Sequence, residues 1–407
     1  MFRVWRREFR LVFGDAGVLL FFFALPLLYP IVYTLIYNPE IAADVPIAVV
    51  DECRTTQSRE LTRAADATQA MKVIGVASSL EEARRWQNEK ACYGIMVIPE
   101  DYSRRLGRGE QAVVPFYAEM SLLLRYRGFI SALTDLQIQL GADIRTETLA
   151  SAGIVADGSQ STPVNTSAHF MGDPEQGFCS FIIPGIIVLI LQQSIVLGVC
   201  MLGGGSAERR RLNGGIDPMR VPAPPSAEAL GKAMCYMVLY IPLTIYILHY
   251  VPYMFSLPST GHVIDIILFM LPMLLSSIFF GMTLQVFVTE RESSMMVIVF
   301  TSVIFLFLSG LTWPRYAMNA FWTLMGDCVP ATWGVEGFIR INSNGATLQQ
   351  NSHPLMMLWL LTGVYFILAC CVWRFSPGLR RSKNSTDSIH KYRPSIYYVI
   401  GSKNRKI

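Results

Sequence analysis

Six long apolar runs divide the chain, at residues 17–37, 178–202, 233–255, 263–288, 295–311 and 355–373. A bilayer core about 30 Å thick takes roughly 20 residues of helix, so each run reads as a membrane span. The runs are read as helices because only a helix or a closed barrel satisfies its backbone inside lipid. Several carry proline, at Pro26, Pro30, Pro184, Pro242, Pro252 and Pro272, which membrane helices tolerate as kinks.

Between the first two runs the pattern changes. Residues 46–50, 71–76 and 93–98 are short apolar stretches of strand length, the last closed by Pro99. Helical spacing appears at 59–67 and 79–87, with Ser79 as N-cap ahead of Glu81 and Glu82. A short helix, a fourth strand near 113–117 and a long amphipathic run over about 122–149 follow. Strands alternating with helices predict a largely parallel sheet. Residues 150–176 are rich in Ser, Gly, Asp and Thr and read as a flexible connection. The fold class is therefore a six-helix, all-α membrane protein with an α/β domain, spanning 38–177 with its connection, inserted between helices 1 and 2.

Charge orients this plan. Lysine and arginine near span ends favour the cytoplasmic side. Arg3, Arg6, Arg7 and Arg10 precede the first span, in a segment (1–16) whose Val4, Trp5 and Phe9 suit a helix lying along the membrane surface. The 203–232 loop carries Arg209, Arg210, Arg211, Arg220 and Lys232, and the 374–407 tail has nine basic residues against Asp387 alone. Residues 256–262 have none, and 312–354 only Arg315 and Arg340. Both termini are thus expected in the cytoplasm, with the insert outside. The first span is read as retained, because its apolar run exceeds a signal core and leads into Tyr29, Tyr33 and Tyr37 rather than a small-residue cleavage site.

Composition agrees, at 52% hydrophobic and 16% charged over 407 residues. That charge fraction falls well below the roughly 25% of soluble domains. Catalytic signals are missing. There is no HExxH pair and no GxSxG elbow. Leu230-Gly231-Lys232-Ala233 lacks the upstream glycine and the Ser/Thr of a phosphate loop. No metal site, nucleic-acid partner or ATP hydrolysis by this chain is expected. Cys53 follows the first strand and Cys92 precedes the third; parallel strands would put them at opposite sheet ends, too far apart to bridge.

Four features suggest roles. Glu208, Arg209, Arg210 and Arg211 stand in the long cytoplasmic loop. Gln192 and Gln193 sit inside the second span, where unpaired amides are costly; they read as helix-to-helix glue or as one lining a path. Glu336 and Arg340, four apart, suit a pair on one helix face. Pro330 lies in the same segment, 312–354.

The order of parts resembles the permease subunit of ABC-2 type transporters, in the bacterial exporter branch with a large periplasmic insert. The resemblance rests on Ile47-Ala-Val-Val-Asp51 followed by residues 56–61, and on GIMVIP at 94–99 followed by Tyr102-Ser103. It continues in Pro184-Gly185-Ile186-Ile187, Leu191-Gln192-Gln193 and Leu230-Gly231-Lys232. Ser309-Gly310-Leu311-Thr312-Trp313-Pro314 and the run from Val329 to Phe338, with Arg340, complete it. The resemblance implies an inner-membrane exporter subunit, not itself an enzyme, with ATP and magnesium on a separate ABC ATPase. It also implies a second permease copy or paralogue, and a periplasmic adaptor where the host has an outer membrane. Glu208–Arg211 would couple to the ATPase, and 312–354 would form an outer re-entrant segment. One departure stands out. The Gly-Thr and following acid expected after the coupling helix are replaced by Asn213-Gly214-Gly215. The rival reading is a membrane-tethered receptor or scaffold whose outer domain binds a ligand.

Overall fold

A computed structural model describes residues 1–37, 43–119, 123–151 and 177–375, in two compact units. All but the first two residues of the connection expected at 150–176, and all but the start of the basic tail, lie outside the described residues.

The first unit holds six helices long and apolar enough to span a bilayer: Ala16–Tyr37, Phe178–Leu212, Pro225–Met254, Val263–Phe287, Arg291–Leu308 and Ser352–Arg374. The second is the central one. Its apolar window is 89% buried, against 22–24% for the first, fifth and sixth, which turn their apolar sides outward as lipid-facing helices do. Close approach is built into the sequence. A Cβ on Gly198 would fall 1.7 Å from the Phe22 ring, so only glycine admits the first span against the second.

Two spans widen locally into a π-helical turn, at Leu20–Ala24 and Tyr246–Tyr250. Each lies just before a proline, Pro26 and Pro252. Proline lacks an N–H and collides with the carbonyl four residues back, and an extra residue in the turn relieves both faults.

Several boundaries differ from the sequence expectation. The second helix does not stop at 202 but runs to Leu212, and the third begins at Pro225 rather than 233. The 203–232 loop thus shrinks to a turn of 213–224. Three glycines at 203–205 were a natural place to end a helix, but here they permit contact: a Cβ on Gly204 would stand 2.8 Å from the Glu290 carbonyl oxygen. The helix ends instead where Gly214 and Gly215 take positive φ, +64° and +96°, which favours glycine. Pro225 then opens the next helix at its first turn, where a missing N–H costs nothing. Residues 312–354 contain two short helices, Ala320–Asp327 and Pro330–Asn342. The second of these packs against the fourth and sixth spans.

The second unit is an α/β sandwich. Strands β1 (Val45–Asp51), β2 (Met71–Ala77), β3 (Gly94–Ile98) and β4 (Phe116–Ala118) form one sheet in the order β2-β1-β3-β4. β1 is parallel to β2 and β3, and β4 runs antiparallel to β3. The fourth strand starts later than the 113–117 expected, because Pro115 has no N–H to give the ladder, although its carbonyl accepts from Val97 N at 2.9 Å. Helix Thr56–Asp66 starts at a reciprocal Thr55/Ser58 cap, and Ser79 caps Leu80–Asn88 by accepting from Glu82 N. Phe129, Ala132 and Leu136 of Leu123–Ser151 cover one sheet face. Their spacing of three and four is the seam that the amphipathic run implied. Cys53 packs on that face, Cys92 is buried on the other, and neither is bridged.

Candidate functional site

The N-terminal helix Phe2–Phe13 buries Val4, Glu8 and Val12, a stripe of period four. A carboxylate in the middle of that stripe needs partners. Glu8 is 1% exposed and accepts from the Tyr236 hydroxyl at 2.8 Å and from Arg7 Nε at 3.1 Å. Lys232 Nζ stands 3.6 Å away, and Arg7 also donates to Glu228. Lys232 lies in turn over the Trp373 ring, 4.5 Å from its centroid. Burial alone would push the Glu8 carboxyl up, but Lys232 and Arg7 outweigh it and hold it below the usual glutamate range. These residues clamp the N-terminal helix to the third span. Sequence spacing did not single out the clamp, whose one visible hint was an acid on the apolar face of an arginine-rich helix.

The coupling candidates lie at the same end of the unit. Glu208 Oε1 accepts from Arg291 N at 2.8 Å, at the start of the fifth span. There it satisfies one of the amide groups that a helix N-terminus leaves open, and its negative charge suits the helix dipole. Arg211 meets Glu290 at 2.8 Å, and Arg291 reaches Asp15 at 2.9 Å. Arg209 grips Asp217 through Nε at 3.0 Å and a second nitrogen at 3.3 Å, while Ser206 donates to the same carboxylate. Burial would raise the Asp217 carboxyl, but the Arg209 and Ser206 hydrogen bonds hold it below its ordinary value. Glu208, Arg209 and Arg211 therefore stitch the extension of the second span to the start of the fifth and to the adjoining turn. Three large apolar side chains are left exposed beside this seam: Leu212, Ile216 and Met219.

In the middle of the bundle, Gln192 is fully buried, and neither amide group of Gln192 or Gln193 has a hydrogen-bond partner among the described residues. Neither thus makes a helix-to-helix hydrogen bond among the described residues. In the 312–354 segment, Arg340 donates to Glu336 at 2.6 Å, the i,i+4 pair expected from sequence. Arg315, which the spacing did not single out, completes a larger cluster. It reaches Glu336 at 2.9 Å, pairs with Asp327 and covers the Trp333 ring at 4.5 Å. Pro330 is buried at the first turn of its helix.

In the α/β unit the polar residues at the C-terminal edge of β1 satisfy one another. Asp51 accepts from the Cys53 and Arg54 amides and from the Ser58 hydroxyl, and Thr55 and Ser103 share a 2.6 Å hydrogen bond. Parallel sheets bind ligands at that edge, but these groups are already paired. No observation there carries the receptor reading.

Comparison with known proteins gives one finding. The family model described as ABC-2 family transporter protein matches residues 16–371, nearly all of the chain. No curated protein matches it.

Proposed function

The chain belongs to the ABC-2 family of transporter proteins, and from that premise we propose that it is the permease subunit of an ATP-driven exporter. It is a multi-pass membrane protein of a family that normally works with an ABC ATPase subunit, and in this reading ATP and magnesium are held by that partner. Both termini face the cytoplasm, the α/β unit stands on the outer side of the inner membrane, and a second copy or paralogue completes the pathway. Gln192 and Gln193 mark the path or the helix surface that rearranges around it. Each unpaired buried amide group costs about 1–3 kcal/mol, which an altered helix arrangement can recover. A periplasmic adaptor continues the route where there is an outer membrane.

One observation carries the coupling part of this reading. The second span's extension, ending in exposed Leu212, is tied through Glu208 to the first amide of the fifth span. A subunit docked on Leu212, Ile216 and Met219 therefore pulls on two spans at once. Apolar side chains clustered on a cytoplasmic turn mark a protein contact. The coupling role that the resemblance implies for Glu208 is thus one of transmission, with the contact to the ATPase made by its neighbours.

The test separates docking from transmission. Leu212→Asp/Ile216→Asp should lose co-purification of the ATPase. Glu208→Ala should keep the ATPase bound but lower its stimulated hydrolysis several-fold. Retention of the ATPase by the double variant would refute this docking surface.

A further inference from the structure

Close to the middle of the apolar run 178–202, the second span carries two adjacent amides, Gln192 and Gln193. Gln192 is fully buried, and the amide atoms of both side chains are covered without a hydrogen-bond partner among the described residues. The second and fourth spans run side by side at this level. A Cβ on Gly334 would meet both Met273 at 2.9 Å and Val188 at 3.2 Å, and one on Gly281 would stand 3.2 Å from the Val196 Cα. Ser276 and Ser277 therefore lie level with Gln192. Each donates to the Met273 carbonyl, at 2.9 and 2.8 Å. From the third span, the Tyr240 hydroxyl donates to Ser194 Oγ at 3.1 Å, and Ser194 donates to the Leu191 carbonyl at 3.0 Å. Gln192, Ser194, Tyr240, Ser276 and Ser277 are all 0% exposed. The hydroxyls have given their protons to protein acceptors; the two amides have not.

This layer is polar but uncharged. Residues 16–37, 178–207, 233–254, 266–287, 293–308 and 354–373, the six spans without their charged ends, contain no Asp, Glu, Lys or Arg. Their one histidine, His249, is exposed near the end of the third span. A second copy of the chain would bring the same set. A charged group brought to this depth therefore finds no counter-ion, and an unpaired buried charge costs far more than an unpaired amide. Each amide side chain offers two N–H donors and a carbonyl acceptor. A carboxylate would use only the donors and an ammonium only the acceptors, each leaving part of the pair unsatisfied. A neutral group that both donates and accepts matches all of it.

We infer that the bundle recognises, at Gln192 and Gln193, an uncharged carboxamide-type group on an otherwise apolar molecule. The inference rests on the permease reading, in which these amides mark the path. It is measured as binding, without ATPase or ATP. Failure of the ATPase to dock would therefore sink the coupling reading and leave this site standing, whereas the outcomes below bear on the site alone.

The full-length protein in neutral detergent is photolabelled with three benzophenones of one shape, bearing a carboxamide, a carboxylate or a trimethylammonium group. Labelling is taken relative to the rest of the protein, which removes differences in detergent partition. The carboxamide should label the peptides around Gln192 and Ser277 at least about tenfold more than either ion, the worth of one or two hydrogen bonds. Gln192→Leu/Gln193→Leu should erase that preference and at the same time raise the thermal midpoint, because it removes buried groups that have no partner. A more stable variant that no longer binds separates loss of recognition from misfolding. Equal labelling by the trimethylammonium probe would assign the layer to its aromatic rings, and equal labelling by the carboxylate would show a counter-ion at this depth; either overturns the inference. So would carboxamide labelling that the leucine pair leaves unchanged, or that falls only outside the second and fourth spans. A lower midpoint in the leucine pair would mean that the amides are paired in the assembled protein, across two copies, and would overturn it as well.

Discussion

Two charge clusters in the helical unit use the same inventory, two carboxylates and two cations, in different surroundings. Arg7, Glu8, Glu228 and Lys232 have side chains no more than 12% exposed. Arg315, Asp327, Glu336 and Arg340 range from 19% to 46%. The first cluster joins the N-terminal helix to a span more than two hundred residues away, whereas the second, here called the outer cluster for its greater exposure, ties together residues of the 312–354 segment. Burial decides what each ion pair is worth. Charges withheld from water depend wholly on their partners, while charges in contact with water can be resolvated when a partner is lost. The first cluster therefore acts as an all-or-none clamp and the second as a set of separable contacts.

The strongest way to break the contrast is Glu8→Ala. It leaves Arg7 and Lys232 without a buried carboxylate between them, and removing one member of a buried pair typically costs about 3–5 kcal/mol. The thermal midpoint in detergent should fall further than for any single substitution in the outer cluster, and a cysteine at Val4 should become reactive as the helix lifts. Replacing Glu8 and Lys232 together by methionine should recover much of the loss, since apolar residues of similar volume can substitute for a buried pair. The pH dependence has a definite sign. The folded Glu8 carboxyl is held below its ordinary value, so its contribution is fully present above the unfolded glutamate value of about 4.3 and is lost as pH falls through the lower folded value. Val4 cysteine reactivity, taken as a ratio to an unprotected cysteine at the same pH because thiolate is the reacting form, should therefore stay flat from pH 8 to 6. A rise in that interval would contradict the charge state assigned to the clamp.

Arg315→Ala tests the half-exposed cluster at its centre. Arg315 holds both Asp327 and Glu336 and covers Trp333, so its loss removes two charge-assisted contacts and one cation–π contact. Partial access to water limits the penalty to about 1.5–3 kcal/mol. The expected drop in thermal midpoint lies below that of Glu8→Ala but is readily measured. A drop equal to that of Glu8→Ala would mean that burial does not govern the difference between the clusters.

The same contrast explains what the sequence could reveal. Glu336 and Arg340 are four residues apart, and local spacing alone predicts their pair. The spans, the strand–helix alternation and the Ser79 cap are local in the same sense. Glu8 with Lys232, Glu208 with Arg291 and Arg315 with Asp327 depend on how separate elements pack, and one sequence carries no register for that. The glycine run at 203–205 shows the limit well. Helix propensity counts each glycine as a loss of about 1 kcal/mol, yet the helix persists because the Gln285 side chain, the Glu290 backbone and the Arg291 side chain take up the space that side chains would have filled. The polar layer around Gln192 was hidden for the same reason, since its side chains come from three separate spans.

The smallest effect sharpens the comparison most. Arg340 is 46% exposed and bonds Glu336 across one helical turn. Glu336 does not depend on it, because Arg315 Nη1 still donates to the other carboxylate oxygen at 2.9 Å. Water can replace the lost guanidinium at the exposed oxygen, and holding a long arginine in one rotamer already costs entropy. Arg340→Ala should therefore shift stability by no more than about 0.5 kcal/mol, a change in thermal midpoint near the resolution of the measurement. Adding the substitution to Arg315→Ala gives the decisive reading. With Arg315 gone, Arg340 is the remaining cation bonded to Glu336, so the double variant should lose more than the sum of the single ones. Strict additivity would show that the two arginines serve Glu336 independently, and the outer cluster would then be two isolated contacts and not a shared one.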